Sequence, residues 1–389
     1  MSKDFWKGIL TGGAVGLLVS VILLATNTTH NGTATAQQTA PATTPATTPS
    51  AGGGPTATAP DVGASGQIAG AGASSQQAAQ TAWIAGFQKG NSGVTISYDP
   101  VGSGGGREQF GAGAVAYGTS DVVLTADELT RSQQRCGGVD NLIEAPVYVS
   151  PIAVVYNLSG VSALRLDPQT MASIFAGKIN RWDDPAIEAS NPGVKLPNTA
   201  ITPIHRSDKS GTTENFTSYL SAAAGQAWPH EPDSTWPVGG GEAAKGTSGM
   251  IAAVKSGNGT IGYADLSQAA DLAKVEVRVG SDYVAPSAAA AGKIFAASKE
   301  VSGTGRFVFA YDLNYATTEA GTYPIVLISY MLACTRYSGG NTAKIVQGYL
   351  DWVASADGQS TAADAAGSAP LPEQVERKIR DAANAIQAS

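Results

Sequence analysis

The chain has 389 residues, a formal net charge of −7, 43% hydrophobic residues and only 14% charged residues. At roughly 150 residues per domain this length fits about two domains. The acidic balance excludes a nucleic-acid binder, which needs a basic face against phosphates, but a small anion stays open because a local site can oppose the global field. Three His and two Cys are too few for a zinc scaffold or a disulfide-dense miniprotein.

Lys3 and Lys7 precede an uncharged apolar run, Ile9 to Ala25. A basic start followed by such a run reads as a secretory signal or as an uncleaved membrane anchor. Residues 26–60 are mostly Thr, Ala, Pro and Gly. With almost no charge and no periodic apolar face, they predict a disordered stalk, with a random-coil span of ~30–35 Å. Together these place the rest of the chain outside the cytoplasm.

From about residue 66 strands and helices alternate. Strands are expected at Gln67–Gly70 and Val94–Tyr98, with a helix over Gln76–Lys89 that puts Ala79, Trp83, Ile84 and Phe87 on one stripe. A Gly-rich turn leads to a short helical stretch around Gln109, and Val115–Val123 holds a strand and a turn. Val147–Val149 and Ile152–Tyr156 form a β-rich run. A helix is expected over Leu166–Phe175, a strand over Ile201–Ile204 and a helix over Thr213–Ala224. Met250–Lys255 reads as helix, Gly259–Tyr263 as strand, Ser287–Ala297 as helix and Pro324–Leu332 as strand. Ala343–Ser355 and Pro372–Ala388 close the chain as helices. This alternation predicts α/β architecture with helices on both faces of a sheet. Cys136 and Cys334, the only cysteines, either form one disulfide in an oxidising compartment or remain two thiols.

Three times a Gly/Ser turn follows a strand and opens a helix: Gly70–Ser75, Gly102–Gly106 and Ser210–Thr213. Free N–H groups at a helix start, with the helix dipole, suit an anion. One such turn is ordinary capping; three point to an oxyanion. In the third, Arg206 can hold two ligand oxygens at once, and Asp208 can orient its guanidinium. Asp121 looks misplaced beside an anion unless the ligand carries a proton, because an ionised carboxylate only accepts hydrogen bonds. It would then welcome protonated phosphate and oppose sulfate. Its other reading is a helix cap ahead of Thr125–Glu128. The sequence has no GxSxG elbow, HExxH motif or P-loop, so neither catalysis nor a cofactor is expected.

At these motifs the chain closely resembles the phosphate-binding proteins of the high-affinity phosphate ABC transporter (PstS type). The resemblance runs from about Gly70 to the C-terminus through GAGASS (70–75), VGSGGG (101–106), GTSD (118–121), IFAGKINRWDDPAI (174–187) and HRSDKSGTTENFTSYL (205–220), then TSGMIAAV, GNGTIGYAD and GSAPLP. It implies a two-lobed periplasmic-binding-protein (type II) fold, with residues 61–149 and 322–389 in one lobe, 150–321 in the other, and a hinge between them. It further implies a monomer that captures inorganic phosphate and delivers it to a membrane permease. The implied phosphate ligands are Ser74, Ser75, Ser103, Asp121, Arg206, Ser210, Gly211 and Thr212, with Asp208 supporting Arg206. Ser75-Gln76 departs from the commoner Phe-Pro. The alternatives are a surface-anchored oxyanion sensor not coupled to transport and a receptor for another tetrahedral oxyanion.

Overall fold

A computed structural model describes residues 57–301 and 305–389. The apolar run and the stalk up to residue 56 lie outside them. In chain order the elements are β1 (Gly66–Ala71), α1 (Gln77–Gly90), β2 (Val94–Asp99), α2 (Ser103–Gly111), β3 (Tyr117–Ser120), α3 (Ala126–Cys136), β4 (Leu142–Asn157) and β5 (Leu164–Leu166). Then come α4 (Pro168–Phe175), α5 (Pro185–Ser190), β6 (Thr202–Arg206), α6 (Gly211–Ala224), β7 (Glu242–Ala244), α7 (Gly246–Ser256), β8 (Thr260–Asp265), β9 (Ala273–Val279) and β10 (Asp282–Val284). The remainder is α8 (Ala288–Ala296), β11 (Lys299–Val301), β12 (Phe307–Val308), β13 (Ala310–Asp312), β14 (Val326–Cys334), β15 (Arg336–Tyr337), α9 (Gly340–Val353), α10 (Ala356–Ala366), α11 (Glu373–Asn384) and β16 (Gln387–Ala388).

The main sheet runs β2-β1-β3-β14-β4-β8-β6-β7. At one end β2, β1 and β3 are parallel, and at the other β8, β6 and β7 are parallel. The antiparallel pair β4/β14 joins the two sets. Along β4, residues 142–151 pair with β14, and Ile152–Asn157 pair with β8. The strand is buried almost end to end, which explains its largely apolar sequence, interrupted by Glu144 and Ser150. The two expected β-rich pieces at 147–156 are thus one strand. Pro146 pairs with Tyr330 beside a register shift that leaves Val147 unpaired, a place where a missing N–H is tolerated.

α1 buries Ala79, Trp83 and Phe87, and each large side chain contributes ~1.5–3 kcal/mol of apolar burial. The Trp83 indole N–H donates to Gly358 O at 2.7 Å, which ties α1 to α10. Residues 57–60, expected at the end of the stalk, pack on α1 instead. Ala59 is buried and its N–H donates to Gly86 O. The helix expected over Leu166–Phe175 starts at Pro168, because Leu164–Leu166 pairs with β9 and Asp167 caps the Gln169 and Thr170 N–H groups. No helix is expected from the sequence at α5 or α10. Asp121 is not the cap of α3: Thr125 caps it, in a capping box with Glu128. Cys136 at the end of α3 is bonded to Cys334 at the end of β14, with Cα atoms 5.2 Å apart.

Candidate oxyanion site

Asp121 follows β3 and is 2% exposed. Its Oδ1 accepts from the Ser75 hydroxyl at 2.6 Å and from the Ser329 hydroxyl at 2.7 Å. Its Oδ2 accepts from the Thr212 hydroxyl at 2.9 Å. Its backbone N–H donates to Ser103 Oγ at 3.1 Å, and its backbone carbonyl accepts from Asn215 Nδ2 at 2.8 Å. A carboxylate offers roughly four acceptor positions, so one remains on Oδ2. Burial raises the Asp121 pKa, and the hydroxyls of Ser329, Ser75 and Thr212, with the Arg206 charge, pull only part of it back.

The turns around Asp121 are shaped by glycine. After β1, Gly72 has φ +151°, and a Cβ there would lie 2.1 Å from Thr119 O. Ser74–Gln76 then forms a short 3-10 turn leading into α1. Gly102 (φ +96°) precedes α2, and a Cβ on it would strike the Asp208 carboxylate. α2 begins at Ser103. The glycines at 104–106, expected in a turn, form its first residues. There Gly104 N–H donates to Lys209 O at 3.1 Å.

Arg206 ends β6 and is 3% exposed. Its Nε and Nη2 donate to the two carboxylate oxygens of Asp208 at 2.8 and 2.5 Å. Burial opposes the Asp208 charge, but Arg206 and the Gly246 N–H outweigh it and hold the pKa below its ordinary value. This pairing leaves three of the five guanidinium N–H donors free of Asp208. The Ser210 hydroxyl is the N-cap of α6 and accepts from Thr213 N–H at 3.2 Å. Gly211 and Thr212 open that helix against Asp121 and Ser103.

Thr247 and Ser329 were not read as site residues. Thr247, in the first turn of α7, donates its N–H to Ser74 Oγ at 3.1 Å and shares a 3.0 Å hydroxyl–hydroxyl bond with it. It makes a fourth helix start at the site, with its own Gly-Thr-Ser turn as the signal. Ser329 follows the apolar stretch Val326–Ile328 in β14. The structure therefore gathers Ser74, Ser75, Ser103, Asp121, Arg206, Asp208, Ser210, Gly211 and Thr212 in one cluster, all of them buried but the half-buried Asp208. Arg206, Asp208 and Asp121 together carry one negative charge when ionised. Attraction for an anion must come from oriented N–H and O–H donors and helix starts.

A model of the PBP superfamily domain matches residues 40–357. The phosphate-binding protein PstS 3 of Mycobacterium leprae is 34% identical over 96% of this chain and 98% of its own length. The PstS 3 protein of Mycobacterium tuberculosis is 37% identical over 84% of this chain and 88% of its own. The chain belongs to the PstS family of the PBP superfamily. Among solved structures, a high-affinity periplasmic phosphate-binding protein (PfluDING) bound with phosphate superposes with a TM-score of 0.67 at 23% identity, over 81% of this chain and 93% of that one. At that identity the likeness speaks for the fold alone.

Proposed function

We propose that this chain is the extracytoplasmic substrate-binding component of a phosphate ABC transporter. It captures inorganic phosphate and presents it to a membrane permease, without chemical turnover. The observation that carries this reading is the state of Asp121: three of its acceptor positions are filled by hydroxyls, and one is left amid the donors of Arg206 and four helix starts. An O–H of a protonated phosphate fits that position, and a fully deprotonated oxyanion meets repulsion there. The phosphate-binding PstS relatives support the same ligand.

In this reading residues 61–149 and 322–389 form one lobe and 150–321 the other, with β4 and β14 as the crossings. Ser74, Ser75, Ser103, Asp121 and Ser329 come from the first lobe, and Arg206, Ser210, Gly211, Thr212 and Thr247 from the second. A ligand held by both shifts the population toward the closed arrangement, which docks on the permease. The apolar run Ile9–Ala25 serves as a signal or tether, and the protein acts as a monomer. Calorimetric titration of phosphate into the anion-stripped 389-residue chain tests the reading. Binding at micromolar Kd or tighter, about −8 kcal/mol, is expected; a folded chain that takes no phosphate rules it out.

A further inference from the structure

Behind Asp121 lies a chain of buried polar side chains. Ser329 Oγ, which donates to Asp121, itself accepts from Gln76 Nε2 at 2.7 Å. Gln76 Oε1 accepts from Gln80 Nε2 at 2.8 Å. Gln80 Oε1 accepts from the phenols of Tyr117 at 3.0 Å and Tyr349 at 2.8 Å. Gln76, Gln80, Ser329, Tyr117 and Tyr349 are all fully buried. Two glutamines in such a place are costly unless every polar atom is paired.

The direction of this chain is fixed from its end. An ionised Asp121 only accepts, so the Ser329 proton must point at it. Gln76 then has to offer Ser329 its N–H, its carbonyl must take the Gln80 N–H, and the Gln80 carbonyl must take both phenol protons. The register shift between Ser329 and Tyr330 leaves Val147 of β4 as the extra residue, so β4 bends opposite the point where Ser329 meets the carboxylate. With Ser75, Ser329 fills Oδ1 and leaves the open acceptor position on Oδ2.

We propose that Gln76 and Ser329, backed by Gln80, form a one-way hydrogen-bond relay that holds Asp121 as an acceptor and thereby sets the selectivity of the site for a protonated oxyanion. Both are positioning residues acting through Asp121. The inference rests on the phosphate reading above. The other groups bearing on Asp121 are the Ser75 and Thr212 hydroxyls, the Arg206 charge and the Tyr98 phenol; the variants below leave them in place.

A neutral Asp121 becomes a donor and no longer rejects sulfate. Selectivity for phosphate over sulfate should therefore collapse below some pH, and losing one hydroxyl donor should move that midpoint up by about one pH unit. The test titrates phosphate and sulfate calorimetrically between pH 4 and pH 8 (~4–8, spanning the carboxylate range) into the 389-residue chain and its Ser329→Ala, Ser329→Thr and Gln76→Met variants. Ser329→Ala and Gln76→Met should raise the midpoint and weaken phosphate binding about tenfold, and Ser329→Thr should restore both. Folding is checked by near-UV circular dichroism, and Gln76→Met, similar in size, stands in if Ser329→Ala does not fold. A folded variant with the wild-type midpoint overturns the relay while leaving the phosphate reading intact. A wild type that binds no phosphate overturns the reading itself.

Discussion

A Cβ on Gly211 would lie 2.7 Å from the Cβ of Asp121, and 2.7 Å from Ser103 Oγ as well. The start of α6 thus touches the end of β3 with no room for one more carbon. This contact brings Thr212 and the α6 N-terminus within hydrogen-bond reach of Asp121. Gly211→Ala should separate the two segments by a few tenths of an ångström or more. The cost of overpacking a tight contact, about 1–3 kcal/mol, should appear in phosphate binding as a loss of roughly 5- to 150-fold. Titration of the variant checks this, and an unchanged Kd would show that the contact is not needed in the bound form.

Arg206 is held by Asp208 through two parallel hydrogen bonds while keeping three donors for a ligand. Lysine has three donors on one atom and cannot be clamped in a plane. Arg206→Lys should therefore keep the charge yet weaken phosphate binding by about 2–5 kcal/mol, the range for truncating a buried charge pair. The stability of the ligand-free protein should change far less.

Stability should depend on pH through buried carboxyls away from the anion. Glu144 on β4 is 1% exposed. Burial pushes its pKa up to about 7, against the Leu124 N–H and the Arg107 charge. The unfolded chain releases this proton near pH 4.3, whereas the folded chain keeps it to about 7. The native state thus binds more protons in that window, so stability falls as pH rises through it and levels off above it. Glu144→Gln keeps an acceptor for Leu124 N–H and removes the charge. It should raise stability at pH 8 by up to ~3 kcal/mol and change it little at pH 4 (~4, below both pKa values). Asp265, also raised to about 7 chiefly by burial, adds a slope of the same sign, so the single variant removes only part of it. Urea denaturation at the two pH values measures the difference.

Much of this site could be read from residue types alone, because helix starts leave unmistakable small residues. Ser103 and Thr212 stood next to glycines, Ser74 two residues after one, and Arg206 ended a strand. Asp121 drew attention because its charge looked wrong. Ser329 could not be seen that way: it lies within an apolar strand, and only the pairing of β14 with β4 and β3 brings it to the carboxylate. Thr247 was hidden because α7 begins at Gly246, four residues ahead of the apolar periodicity at Met250. α10, with the sequence ADGQSTAADAA, carries too few large apolar residues to announce a helix; α1 provides the packing that its own sequence lacks. The relay partners Gln76 and Gln80 looked like ordinary helix residues, since their spacing marks one face of α1 but not what that face meets.

In the proposed function Asp121 accepts a hydrogen bond from the proton-bearing oxygen of the ligand. Asp121→Asn tests it most directly, because the amide nearly preserves shape while gaining a donor and losing the charge. Phosphate and sulfate titrated calorimetrically into the wild type should give binding for phosphate alone, and the variant should gain sulfate binding and lose much of its preference. A variant that still binds phosphate and still refuses sulfate would contradict the account.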